Sequence, residues 1–218
     1  MIITRQRVIS LIDGFNLYHA ILHLERPELM WVDLFALSRQ FLKARSEELT
    51  HVYYFSAYAE HVSELIKECQ KSYLRALQLT GVLSVLGRFK NKNRICPNCN
   101  HRWLGHEEKE TDVNIALYLL NLAYKNAFDR ALVVSNDSDL APAIQMVRQI
   151  FPEKRITTVV PPLRRHSNEL IAVSSDKTKV RIDQLERCLL PLVVRDASGL
   201  ISVSRPHAFM PHVAITTR

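Results

Sequence analysis

The chain is poor in the residues that stapled, fibrous or membrane-bound proteins depend on. Its 218 residues include only 4 Cys and 5 Gly. Of Cys69, Cys96, Cys99 and Cys188, only Cys96 and Cys99 are close in sequence, so they do not form a disulfide framework. The few glycines exclude a collagen-like repeat or a Gly-rich linker, and there is no internal repeat or low-complexity tract. No apolar run approaches the ~18 residues of a membrane span, and no leader-type apolar region follows Met1. The expectation is a cytoplasmic protein with no membrane partner. Negative charge is also short: 22 Asp and Glu stand against 29 Lys and Arg, giving a formal +7 and a sequence pI near 9.4. That balance favours polyanionic partners such as nucleic acid, because phosphate contacts release condensed counterions.

What remains is ordinary globular material, 47% hydrophobic and 23% charged, long enough for one α/β domain with a small appendage. Five apolar or β-branched runs read as strands: Val8–Ile12, His51–Tyr58, Val82–Leu86, Ala131–Ser135 and Arg155–Val160. Helical patterns over Phe15–Leu24, Val32–Arg45, His61–Leu79, Asp112–Tyr124 and Leu140–Ile150 alternate with them. In the clearest, Val113, Ala116, Leu117, Leu120, Ala123 and Tyr124 form an apolar stripe at helical spacing. Strands alternating with helices predict a mostly parallel, doubly wound sheet with helices on both faces. Runs such as Leu132–Ser135 lack polar alternation, as strands buried on both sides do. Two segments break the rhythm. Arg88–Glu110 is polar and basic and reads as an inserted loop or small knuckle; the tail after Pro191 reads as an ordered extension at the sheet edge. A tail of that kind leaves a homodimer open.

The acids fall at consistent places in this scheme. Asp13 follows the first strand, Asp137 and Asp139 follow the fourth, and Asp112 opens the helix leading into the fourth. Open α/β sheets bind ligands outside the carboxyl ends of their strands, where the strand order reverses. If the first and fourth strands are neighbours there, their acids converge, and Asp112 joins them if its helix starts at the same edge. Clustered carboxylates repel one another unless a cation lies between them, and an all-oxygen set suits Mg²⁺ or Mn²⁺. Phosphodiester hydrolysis is the natural chemistry of such a site. Each acid also has a plainer reading. Asp13–Gly14 could be only a turn, Asp112 a helix-start charge, Asp139 the cap of the helix from Leu140, and Asp137 a loop residue. The coincidence of all four at one edge favours a site.

Cys96 and Cys99 form a zinc half-site, with His101 and His106 as imperfectly spaced partners for a structural Zn²⁺; a pair of reduced thiols is the alternative. The same segment carries Arg88, Lys90, Lys92, Arg94 and Arg102, interleaved with Phe89 and Trp103. Cations and rings together suit single-stranded RNA, although a solvated loop anchored by its aromatics explains them as well. Arg164 and Arg165 follow the fifth strand and are a second candidate phosphate contact, with His166 beside them.

Three blocks, Val8–Ile21, Glu107–Tyr124 and Phe128–Arg148, resemble in that order the signature blocks of the NYN domain family of PIN-like ribonucleases. The resemblance runs from about Val8 to Pro191, and its most specific parts are the Asp13–Gly14 turn with Asn16 and the run Ser135–Asp139. It implies a Rossmann-like three-layer α/β/α sandwich over residues 1–190, with the basic Cys-containing insertion at about 88–110 and an extension at 191–218. It also implies a Mg²⁺- or Mn²⁺-dependent RNase site in which Asp13, Asp112, Asp137 and Asp139 match the metal-binding acids, and Asn16 and Ser135 match motif positions beside them. Two positions depart from the pattern. Asn136 stands where the family has Gly, which calls for a positive φ there, and Glu110–Thr111 replaces a Gly and its neighbour before Asp112. The tail run Ser202–Pro206 also resembles members that end in a strand followed by Arg-Pro.

The expected function is therefore a metal-dependent endoribonuclease acting on single-stranded or loop RNA. The alternative is a non-catalytic RNA-binding or assembly module on the same fold. A DNA flap nuclease is a nearer rival than a phosphotransferase, whose Asp-x-Asp nucleophile would follow the first strand.

Overall fold

A computed structural model describes residues 5–59 and 61–211. Its centre is a seven-stranded sheet in the order β4-β3-β2-β1-β5-β6-β7. The strands are β1 (Gln6–Asp13), β2 (Glu47–Ala57), β3 (Leu83–Ile95), β4 (Arg102–Lys109), β5 (Arg130–Val134), β6 (Arg155–Val160) and β7 (Asp176–Lys179). All neighbours are parallel except β3 and β4. The chain builds outward from β1 to β2 and β3, then returns to place β5 on the other side of β1. The strand order reverses there, and the crevice at the carboxyl ends of β1 and β5 is the switch point.

The apolar runs have no polar alternation because both sheet faces are covered. On one side Val8, Ile12, Val52, Tyr54, Leu132 and Val134 pack against α1 (Gly14–Leu22), α2 (Leu34–Arg39), α3 (Glu64–Leu79) and α7 (Ile182–Arg187). On the other Ile9, Leu11, Tyr53, Phe55, Ala131 and Val133 meet α4 (Thr111–Tyr124), α5 (Ala141–Ile150) and α6 (Asn168–Val173). Successive residues of each strand thus serve different cores, as the period of two demands. The result is the three-layer α/β/α sandwich.

Four expectations need correction. Arg88–Glu110 is not a loop. β3 runs on past the sheet and returns as β4, an antiparallel ribbon of eight paired residues on each strand, about 26 Å long. Helix α2 is six residues, not the whole of Val32–Arg45; Asp33 caps its start, accepting from the Ala36 N–H at 2.9 Å. Half of the apolar stripe chosen for α4 faces outward: Val113, Leu117 and Tyr124 are 60%, 57% and 66% exposed, while its Ala123 is buried together with Ile115, Leu119 and Leu122, which the stripe left out. The helix is apolar nearly all round, so periodicity alone does not mark the inner face. The tail, finally, lies on the helix layer rather than at the sheet edge. A separate ribbon, β8 (Val193–Arg195) with β9 (Ser202–Ser204), packs on α3, and Leu190 and Val194 cover the buried Trp31. The Trp31 indole N–H donates to the Pro191 carbonyl at 2.9 Å.

At the far end of the sheet the buried Arg130 guanidinium donates to both oxygens of buried Glu47 at 2.9 and 3.2 Å, and to the Phe41 carbonyl at 2.7 Å. This pair ties β5 to β2 beneath β1. Among the described residues, no helix is long and apolar enough to cross a membrane.

Candidate active site

Asp13 is the last residue of β1 and caps α1 at once. Its Oδ1 accepts the Asn16 N–H at 2.9 Å and its Oδ2 accepts the Ser135 hydroxyl at 2.9 Å. Gly14 follows because nothing larger fits: a Cβ there would lie 2.6 Å from both the Phe55 carbonyl oxygen and the Tyr54 ring. Ser135, fully buried after β5, passes the connection on, since its Oγ also accepts the Asp137 N–H at 3.1 Å. Asp137 then turns the chain, its Oδ1 accepting the Asp139 N–H at 2.9 Å. The cap of this short turn is therefore Asp137, not Asp139, and α5 starts at Ala141 with no side-chain cap. The Asn136 N–H donates to the Asn16 side-chain oxygen at 3.3 Å, and Asn136 is not among the residues with positive φ, so the positive φ expected there is not found. The plain and the functional readings of these acids coincide. The turns and caps are what hold the carboxylates in place.

Asp112 arrives from α4, which packs on β1, β2 and the Asp137 turn. Burial pushes its carboxyl up to about 7, reinforced by the negative charges of Asp13, Asp137, Glu108 and Asp139. Burial likewise raises Asp13, against the pull of its Asn16 and Ser135 hydrogen bonds and with a further push from Asp137. The four acids picked from the sequence thus act on one another in a single crevice. Glu108 is an addition that sequence reasoning missed. It lies on β4, accepts the Thr111 N–H at 3.2 Å and so caps α4 from the ribbon. Its only sequence signal was its place in the acidic run Glu107–Glu110.

Among the described residues, no three His, Cys, Asp or Glu side chains form a closed ligand set. The carboxylates nevertheless lie near enough to raise one another's proton affinity. The donor chemistry suits a hard divalent cation. The donors are all oxygens, and two of them have raised proton affinity, first from burial and then from neighbouring negative charge.

The basic residues are distributed differently from the acids. Arg88, Lys90, Lys92 and Arg94 alternate along β3 and so share one face of the ribbon, with Trp103 paired across from Arg94. Arg88 is ion-paired to Glu110 at 2.6 Å and Lys92 to Glu107 at 3.0 Å, while Lys90 and Arg102 are exposed. The other face carries Phe89, packed edge-on against Phe15 of α1 at 5.5 Å between centroids. The ribbon is therefore rooted beside the carboxylates and projects past them. Arg164 and Arg165 follow β6 at the same sheet edge, Arg164 near enough to His19 of α1 to lower its pKa, after burial.

The four-ligand zinc reading fails on distance. His106 pairs across from Asn91, five residues along β3 from Cys96, which places it about 16 Å away. It stacks instead on His61, 4.1 Å between ring centroids. His101 lies beside the Cys pair but stacks on Trp103 at 6.2 Å.

A doubly wound α/β sandwich with clustered acids at its switch point places the chain in the nuclease-like class of PIN-type folds. Within that class it belongs to the NYN domain family, whose model matches residues 7–179. Among solved structures it resembles a protein of unknown function from Vibrio parahaemolyticus, with a TM-score of 0.55 and 19% identity over 85% of this chain and 97% of that one. It is also 37% identical over 92 residues to a protein described as a 6-hydroxy-3-succinoylpyridine 3-monooxygenase from Pseudomonas putida. That match covers 40% of this chain and spans only 29% of the relative's length.

Proposed function

We propose that the protein is a divalent-metal-dependent endoribonuclease acting on single-stranded or loop RNA. The observation that carries this reading is the convergence of Asp13, Asp112, Asp137 and Asp139, with Glu108 beside them, at the switch point of the sheet. Asp13, Asp112 and Asp137 would hold Mg²⁺ or Mn²⁺, with Asp139 as a further ligand or orienter. A bound ion of this type lowers the pKa of water and offsets charge on a phosphate oxygen.

The remaining work belongs to the protein. Ser135 and Asn16 fix the Asp13 carboxylate and the Asp137 turn, so the acids keep their spacing when a polyanion enters. Lys90, Arg94 and Arg102 on the ribbon, and Arg164 and Arg165 across the crevice, contact phosphates on either side of the scissile bond. Trp103 offers a stacking surface for a base. The reaction is direct hydrolysis, water displacing the leaving oxygen of the phosphodiester with no covalent enzyme intermediate.

The test is cleavage of end-labelled single-stranded RNA and matched DNA in Mn²⁺, Mg²⁺ or EDTA, beside Asp13→Asn. Metal-dependent RNA cleavage that disappears in the variant supports the proposal. If wild type and variant bind RNA equally and leave it intact, the alternative of a non-catalytic RNA-binding module takes its place.

A further inference from the structure

The tip of the ribbon carries chemistry that the carboxylate site does not use. Between β3 and β4 the chain turns tightly: the Cys96 N–H donates to the His101 carbonyl at 2.8 Å, and the Asn100 N–H donates to the Cys96 carbonyl at 2.9 Å. Asn100 takes a left-handed φ of 55° to close it. The turn holds both cysteines of the pair at the end of the arm, between the last residue of β3 and the first of β4. Both cysteines are free and neither is buried.

Two thiolates are half of a tetrahedral zinc site. The ribbon does not supply the other half, because its register carries His106 away to stack on His61 and His101 lies against Trp103. Among the described residues, no third His, Cys, Asp or Glu converges on the pair. The surroundings suit an anionic metal centre that lies against another molecule. Arg94 and Arg102 flank the turn and would offset the negative charge of a thiolate site. Ile95, Trp103 and Leu104, exposed at 53%, 44% and 53%, stand at the end of an arm with no core beneath it. A two-fold axis through the ion would supply an identical second half-site and cover these side chains with their own copies.

We propose that Cys96 and Cys99 from two copies of this chain bind one zinc ion as a four-thiolate clasp, joining two molecules tip to tip. Four thiols release their protons to solvent as four Zn–S bonds form, with no change of oxidation state. None of the four acids takes part, so the clasp is tested apart from cleavage, although Arg94, Arg102 and Trp103 at the tip are also the residues the nuclease reading gives to RNA.

The test uses the full chain purified without chelator, its metal content and its mass in solution measured together. The expected result is a dimer with about half a zinc ion per chain. Chelator, or the double variant Cys96→Ser with Cys99→Ser, should remove the zinc and give a monomer with unchanged far-ultraviolet circular dichroism. Replacing zinc by Co²⁺ in the wild type should give the intense visible bands of a tetrahedral all-thiolate site. One ion per monomer with a mixed nitrogen–sulfur spectrum would assign the third ligand to the same chain and overturn the clasp. So would a zinc-free protein, or a dimer that survives the double variant.

Discussion

The charge on Asp112 should destabilise the metal-free protein, and removing it should show by how much. Its carboxyl rises from 3.8 to about 7 on folding, because it is partly buried among other acids. Between those values the folded chain holds a proton that the unfolded chain has lost. Stability therefore falls as pH rises through this window, and the full penalty is present above about pH 7. About three pKa units correspond to roughly 4 kcal/mol as an upper limit. Asp112 is only half-buried, so solvent screening brings the effect down to about 1–2 kcal/mol. An opposing contribution comes from the first turn of α4, where a negative charge gains about 0.3–1 kcal/mol from the helix dipole. Burial, with repulsion from the other carboxylates, outweighs it. In EDTA at pH 8, Asp112→Asn should melt about 2–8 °C above the wild type. The gap should narrow toward pH 5, as the folded carboxyl gains its proton, and close only near pH 3.8, where the unfolded one keeps its proton too. Mg²⁺ or Mn²⁺ at pH 8 should raise the melting temperature of the wild type and do much less for the variant. Paired thermal melts at pH 5 and 8, with and without metal, measure all of this. A variant no more stable than the wild type at pH 8 in EDTA, or a gap that ignores pH, would refute the reasoning.

Other perturbations probe the frame around the site. Arg130→Met leaves Glu47 buried without its partner and should cost about 3–5 kcal/mol in a urea titration, while the double change to Met and Leu should recover much of the loss. Gly14→Ala pushes a methyl into the Phe55 carbonyl and the Tyr54 ring, so a loss of about 1–3 kcal/mol is expected, with RNA cleavage falling further as Asp13 and Asn16 shift. Glu110 holds a φ of 83°, and Glu110→Gly should relieve that strain, gaining about 0.5–1 kcal/mol by denaturant unfolding after the loss of its exposed pair with Arg88. Asp13→Asn should abolish metal-dependent RNA cleavage in the gel assay while leaving RNA binding in place.

The sandwich was legible because its central strands are buried on both faces, and continuous apolar runs such as Ala131–Val134 have few other uses. Asp13 and Asp137 were legible for a related reason, since the ends of β1 and β5 mark the switch point once those strands are known to be neighbours. What escaped lacks an apolar signature. β3 beyond Gly87 alternates charged residues with Phe and Asn and is open to solvent, so nothing in its periodicity distinguishes a ribbon from a loop. The four polar residues of β7 carry no strand signal at the sheet edge. The inner face of α4 was misjudged because both of its faces are apolar, and only the position of the sheet selects Ile115 and Leu119 over Val113 and Leu117. Glu108 and the Arg130–Glu47 pair depend on long-range register, which a linear pattern does not contain.

The ribbon and α4 are joined by a single residue. β4 ends at Lys109, α4 begins at Thr111, and Glu110 lies between them. The arm, some 26 Å long, is thus held at two points: through β3, which continues from the sheet, and through this one-residue joint with its two soft torsions. Two struts brace it: Glu110 is held by Arg88 from the opposite strand, and Glu108 grips the first turn of α4. Tilting the arm must therefore rotate that first turn, which carries Asp112. The far end of the arm and the carboxylate of Asp112 are, mechanically, two ends of one crank.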